Sequence, residues 1–343
     1  MAFNRIARLA AAAAVTIATG TAAFGETVTI RYSNWLPPGF FLWEKALHPW
    51  VQEIEKVTEG RVKVEVLPKV VGTVASQFDV VRDGLADMAF LVPAYTPGRF
   101  ELIEFGEMPL LSNKEEVIAP AFDRLYRKHL APLNEFEGIE VLSIFSISPA
   151  QVFTKTRPVK AIGDFQGLKM RSPTSGTKAF LDATGGVTVN KPSSEAFEML
   201  ASGVIDGQLT QANTVTGFGQ TDLTKYALIL PGGVSNSVNV VGINPAKWAE
   251  ISEADRAAIL AISQDKLAQT VGDVYAEAED AAMATLKEAG YDITEASPEM
   301  VAELSKMLAP IEASWVERAK AKGLADPAAV LQEYRDIIAA AGE

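Results

Sequence analysis

Asp164-Phe165-Gln166-Gly167-Leu168-Lys169-Met170-Arg171-Ser172-Pro173 is the stretch whose reading decides the fold. Gly167 marks a turn, and the residues after it alternate, Leu168 and Met170 to one side, Lys169 and Arg171 to the other, as in a short strand with one buried face. Pro173 ends it, because proline cannot donate to a sheet ladder and disfavours helical geometry in the residue before it. Arg171 is therefore predicted at the carboxyl end of a strand, the edge where open α/β sheets bind ligands. Beyond it come a helical run from Thr177 to Thr184, a Gly185-Gly186 turn, a short apolar strand, a second helix from Glu195, and the turn Gly203-Val204-Ile205-Asp206-Gly207. The rhythm is strand, helix, strand, helix.

Working back toward the start, Thr27 to Ser33 alternates with period two and reads as a strand. Asn34 to Phe41 follows as a Pro/Gly loop carrying Trp35, Phe40 and Phe41, three rings outside any periodic face and so candidate contacts for an apolar ligand. Leu47, Trp50, Val51, Ile54 and Val57 recur at helical spacing, with Pro49 predicting a kink or a late helix start. Arg61 to Leu67 is a second strand, and Met88 to Val92 is a continuous apolar run, as in a parallel strand covered on both faces. Tyr95 lies just past the end of that run, where its hydroxyl can reach a ligand oxygen.

The chain has 343 residues, a formal net charge of −12 and a pI near 4.9. That length exceeds one ordinary core and predicts two lobes; the acidic balance argues against nucleic acid or an anionic membrane surface as partner. Residues 1–25 read as an export signal: Arg5 and Arg8 at the front, an apolar core from Leu9 to Ala18, and the small-x-small pattern Ala23-Phe24-Gly25. That core is short of the ~20 residues needed to span a bilayer, so the mature chain is expected in the periplasm without stable membrane insertion. The absence of cysteine fits an exported protein that stands on its core alone.

Further on, Ser112 to Glu115 has capping-box spacing before a helix reaching Tyr126, and Ile139 to Ser148 is strand-like up to Pro149-Ala150-Gln151, the predicted first crossing between lobes. Gln208 to Asn213 is a polar loop at a strand end, and Val238 to Ile243 is predicted to cross back, with Asn236 and Asn239 near the cleft. Ser252 caps a run that stays helical to about Leu286. Ser297-Pro298 and Asp326-Pro327 start two further helices.

The order GLKMRSP (167–173), SEAFEMLASGVIDGQ (194–208), Lys225-Tyr226 and Gly242-Ile243-Asn244, with Gly60 to Pro68 and Gly84 to Ala89 in the first half, resembles the periplasmic solute-binding proteins of TRAP transporters, the DctP-like family. The resemblance covers about Thr27 to the C-terminus. It implies an α/β, two-lobed periplasmic-binding-protein-like fold, each lobe a mixed sheet flanked by helices, with a long helix spanning both. Lobe one is expected from 26–148 plus about 236–265, and lobe two from 149–235 plus about 266–343. By the same resemblance Arg171 clamps a ligand carboxylate, the Trp35 loop touches the ligand, and Thr210 and Gln211 stand near a ligand-bonding asparagine of several relatives, with Asn213 beside them. Two departures stand out. Ala150 and Gln151 occupy the region where sugar-acid binders carry a second arginine, and Ser193 replaces a phenylalanine of some relatives.

A guanidinium matches a carboxylate with two parallel N–H donors, which lysine cannot do. The expected function is therefore capture of a small monocarboxylate with an apolar or aromatic body and its delivery, as a monomer, to TRAP permease subunits, with no cofactor or metal. Two alternatives are an exported two-lobed enzyme acting on such an acid and a ligand-binding partner of a sensor. No Gly-x-Ser-x-Gly elbow, His-Glu-x-x-His or Walker loop is present, and His48 and His129 lie far apart in helical runs, which weighs against catalysis.

Overall fold

The computed structural model describes residues 27–342, so the export-signal reading of residues 1–25 lies outside the described residues. Among the described residues ten strands occur in chain order: β1 (Val28–Ser33), β2 (Val62–Val66), β3 (Met88–Leu91), β4 (Glu140–Thr154), β5 (Lys169–Arg171), β6 (Val187–Val189), β7 (Gly207–Thr210), β8 (Tyr226–Ile229), β9 (Ser235–Ile243) and β10 (Asp292–Glu295). β1 lies parallel between β2 and β3, and β9 joins β3 to β4 by antiparallel pairing, which builds the first sheet. The last residues of β4 pair instead with β7 on one side and β8 on the other; β5 and β6 extend the β7 edge in parallel, and β10 pairs β8. Two mixed sheets thus share one long strand, the two-lobed α/β fold that the sequence predicts.

The passage between lobes is marked by an irregularity in the β4–β9 ladder between Ile147 and Ala150, at Pro149. A proline there removes one ladder donor and lets the strand bend. Opposite it, Gly233 has φ +65°, and a Cβ on it would stand 2.2 Å from the Pro149 ring, so only glycine lets the two connections lie this close.

Pro49 does give a late start. The regular helix His48–Val57 has proline in its first turn and is preceded by a wide turn at Trp43–Leu47, which relieves the clash with the carbonyl four residues back. The capping box at Ser112 does not form. Ser112 Oγ accepts from Lys114 N (3.0 Å), Lys114 precedes the helix Glu115–Leu125, and Glu115 is buried.

The single run expected from Ser252 to about Leu286 is two helices, Glu253–Ile262 and Gln264–Glu288. Tertiary contacts hold the break. Ser263 Oγ donates back to the Ile259 carbonyl (2.7 Å) and accepts from Trp50 Nε1 (3.1 Å), while Ser143 Oγ donates to the Gln264 carbonyl (2.8 Å), with Gln264 at φ 52°. The second of these helices spans both lobes. Leu267, Val271 and Tyr275 pack with Ile30, Trp50 and Ile54 of the first, whereas Ala282 and Leu286 pack with Phe153, Ala212 and Val215 of the second.

The C-terminal region expected with lobe two also divides. Met300, Leu304 and Leu308 join the core around Phe165, Met170 and Phe180, but Trp315, Tyr334 and Ile338 join Phe105 and Phe122 in the first lobe. Among the described residues no helix is long and apolar enough to cross a membrane.

Candidate functional site

Arg171 ends β5, but its side chain is not solvated as strand alternation alone would have it; the residue is 1% exposed. Its Nε donates to the Lys191 carbonyl (2.8 Å) and its Nη2 to Ser193 Oγ (3.2 Å). Among the described residues no carboxylate pairs with it. Burial pulls the guanidinium below its ordinary pKa, with the facing Tyr95 acting in the opposite sense.

Tyr95 closes the turn Pro93–Tyr95 after β3 and belongs to the first lobe. Its hydroxyl accepts from Ser193 N (3.2 Å) and hydrogen-bonds Ser193 Oγ (3.0 Å), where either oxygen can donate. Arg171, Ser193 and Tyr95 therefore form a polar chain across the interlobe gap, with the guanidinium lining a small chamber.

Aromatic rings make most of the chamber wall. Trp35 stacks on Phe90 (centroids 5.6 Å, planes 18° apart) and meets Tyr95 edge to face at 6.4 Å. Its indole Nε1 is satisfied by the Phe90 carbonyl (2.9 Å), which leaves the ring to serve as apolar surface. Phe40 packs edge to face on Phe218 at 5.2 Å and against Gly217, where a Cβ would stand 2.6 Å from its ring. Gln211, Thr214, Ser237 and Asn239 supply the remaining polar lining. Free volume is about 40 Å³. A single benzene ring occupies a cavity of about 150 Å³, so the chamber as it stands accommodates a carboxylate head and not the body behind it.

Of the residues singled out from sequence, Arg171, Trp35, Phe40, Tyr95, Gln211 and Asn239 line this chamber together. Five others do not reach it. Phe41 turns away onto Tyr275, edge to face at 4.9 Å. Gln151 spans the Leu230 backbone, donating to its carbonyl (3.2 Å) and accepting from its N–H (2.8 Å). Thr210 is buried, with its hydroxyl on Gln211 Oε1 (3.5 Å). Asn213 Nδ2 donates to Glu279 Oε2 (2.7 Å), and Asn236 Nδ2 donates to the Ser112 (3.0 Å) and Ile147 (2.8 Å) carbonyls. These amides and this hydroxyl tie the hinge and the loop together. Sequence reading passed over Phe90, Thr214, Phe218 and Ser237, and took Ser193 only as a departure from relatives. For Ser237 the signal was its alternation with Asn239 on one face of β9.

Glu279 caps the helix Ala212–Gly217, accepting from Ala212 N (2.9 Å) and Asn213 N (3.0 Å), so the long interlobe helix holds the segment bearing Gln211 and Thr214. Burial raises its carboxyl to about 7. A larger cavity, about 730 Å³, opens between Phe100–Met108 and the start of the helix Ser175–Thr184. Its cations are already paired, Arg318 with Glu104 and Lys178 with Asp182, so it offers no uncommitted positive charge to an acid. The small chamber, with its buried unpaired arginine, is the better candidate despite its size.

The model of bacterial extracellular solute-binding protein, family 7, DctP, matches residues 36–318. A TRAP periplasmic solute-binding protein from Bordetella bronchiseptica with bound (R)- and (S)-mandelate is 33% identical, with TM-score 0.88, covering 92% of this chain and 99% of that one. One from Rhodoferax ferrireducens in complex with benzoate is 25% identical, with TM-score 0.84, over 92% of this chain and 98% of its own. A marine-metagenome protein specific for aromatic acids, holding 3-hydroxybenzoate, is 26% identical, with TM-score 0.85, over 93% and 100%.

Proposed function

The chain belongs to bacterial extracellular solute-binding protein family 7, with the periplasmic solute-binding proteins of TRAP transporters, and from that footing we propose that it captures an aromatic monocarboxylate on Arg171. Delivery of a bound solute to a TRAP transporter is the family's role. One observation carries the ligand reading: a fully buried guanidinium without a counter-charge among the described residues, set in a chamber of rings. A buried charge is costly unless paired, and a carboxylate is the group whose geometry answers a guanidinium edge. One arginine provides for one carboxylate, and Ala150 brings no second charge. The mandelate, benzoate and hydroxybenzoate of the relatives support the same class.

Admission of the ring requires the lobes to part and close again, since the chamber holds too little space for it. Trp35, Phe40 and Tyr95 approach from one lobe, Arg171, Gln211 and Phe218 from the other. Closure gains only those contacts that the ligand makes in the closed state. Export with cleavage near Gly25 completes the reading, and the mature protein is then expected to begin at or near Glu26 by intact mass.

A thermal-shift screen of the mature protein tests the ligand class. Benzoate, 3-hydroxybenzoate and mandelate are expected to stabilise it, since a ligand at 100 times its dissociation constant adds about 2.7 kcal/mol. Greater stabilisation by glucuronate or succinate would overturn the aromatic-acid reading.

A further inference from the structure

Asn239 has a side-chain oxygen that the fold leaves unused. It sits in β9 opposite Phe145 of β4, is 2% exposed, and lines the chamber. Its Oδ1 is buried without a hydrogen-bond partner. Native proteins rarely tolerate this, and an orphan amide aimed into a binding chamber is best explained by a ligand group that completes it. Ser237, two residues earlier on the same strand, also lines the chamber, so β9 contributes a polar strip to an otherwise aromatic wall.

We propose that Asn239 reads a hydroxyl on the ligand, so that the preferred solutes are hydroxylated aromatic acids: an α-hydroxy arylacetate or a ring-hydroxylated benzoate. The proposal rests on the aromatic-monocarboxylate reading above. The chemistry narrows the choice. A carboxylate only accepts hydrogen bonds and has Arg171 as its partner, and ring carbons neither donate nor accept. A hydroxyl does both, so it satisfies the amide oxygen as acceptor or the amide nitrogen as donor. A site built to bond a hydroxyl also rejects the analogue that lacks it, because the buried amide is then left unpaired.

Calorimetric affinities for two matched pairs, mandelate with phenylacetate and 3-hydroxybenzoate with benzoate, test this in wild type, Asn239→Leu and Asn239→Ala. Wild type is expected to bind the hydroxylated member of at least one pair about tenfold to a hundredfold more tightly. In both variants that preference should shrink to about twofold or less. Unliganded Asn239→Leu should melt no lower than wild type, because an apolar side chain of similar size removes the orphan amide. The proposal is overturned if wild type shows no preference in either pair or if the variants keep it. Equal weakening of both members would also overturn it, since the amide would then serve the carboxylate. Should none of the four acids bind wild type, the aromatic-acid reading itself fails and takes this proposal with it.

Discussion

Replacing Arg171 separates ligand binding from stability in a way that the surroundings of this side chain make quantitative. Two of its nitrogens are committed to the Lys191 carbonyl and Ser193 Oγ, Tyr95 faces the group as well, and the guanidinium still lines the chamber where a carboxylate would meet it. Removing one partner of a buried, hydrogen-bonded ion pair costs ~2 to 5 kcal/mol of binding, about 30-fold to several thousand-fold in Kd. Arg171→Lys should lose most of that too, since a single ammonium cannot hold the Lys191 carbonyl and fork a carboxylate at once. The unliganded protein should respond differently. Arg171→Met removes a buried charge that has no counter-ion but strands the Lys191 carbonyl, and these opposed effects leave stability within ~1 to 2 kcal/mol of wild type. Titration calorimetry with benzoate and mandelate, beside denaturant unfolding without ligand, measures both sides. Affinity unchanged in Lys and Met variants alike would refute the carboxylate role. A Met variant destabilised by more than ~3 kcal/mol would instead show that the arginine is structural.

Glu107 contributes to a pH dependence of stability that the buried carboxyls of Glu115, Glu135 and Glu279, also raised by burial, share. Its carboxyl, fully buried and near Glu104, is pushed up to about 8 while accepting from Val238 N and Ser175 Oγ. The folded pKa lies above the unfolded one, so the folded protein retains a proton that the unfolded chain has released; the contribution is full below about pH 4.5 and is lost as pH rises through 8. Melting temperature should therefore fall between pH 5 and 8.5, and Glu107→Gln should match wild type near pH 5 but melt higher at pH 8.5; equal melting at both values would disprove the assignment. Tyr95→Phe keeps the ring but removes the hydroxyl that bonds Ser193 across the lobes, and should weaken binding about three- to tenfold. Unchanged affinity would mean that this clasp contributes nothing to closure. Scattering from wild type should give a smaller radius of gyration with saturating ligand than without, and no change on tight binding would replace the hinge with a rigid chamber.

Much of the architecture was legible because it depends on neighbours in the chain. Alternation from Leu168 to Arg171 and the stop at Pro173 are local, and they place the arginine at a strand end without knowledge of the rest. Apolar continuity in Met88 to Leu91 likewise marks a strand covered on both faces. Trp35, Phe40 and Tyr95 follow strands directly, so their position at the cleft was also a local inference. Where the sequence misled, the deciding partner lay far away. Gln151, Asn213 and Asn236 are polar residues near strand ends, just as ligand contacts are, but their amides answer Leu230, Glu279 and Ser112, which stand 79, 66 and 124 residues distant. Nothing in Ile262-Ser263-Gln264 signals a helix break, because no glycine or proline is there; Trp50 and Ser143 impose it from another part of the fold. Whether Arg171 would be solvated or buried, and whether Asn239 would find a partner, were likewise tertiary outcomes. Local periodicity determines which element a residue joins and where that element ends, but the faces of two sheets meeting across a gap determine which side chains are stripped of water and left for a ligand to complete.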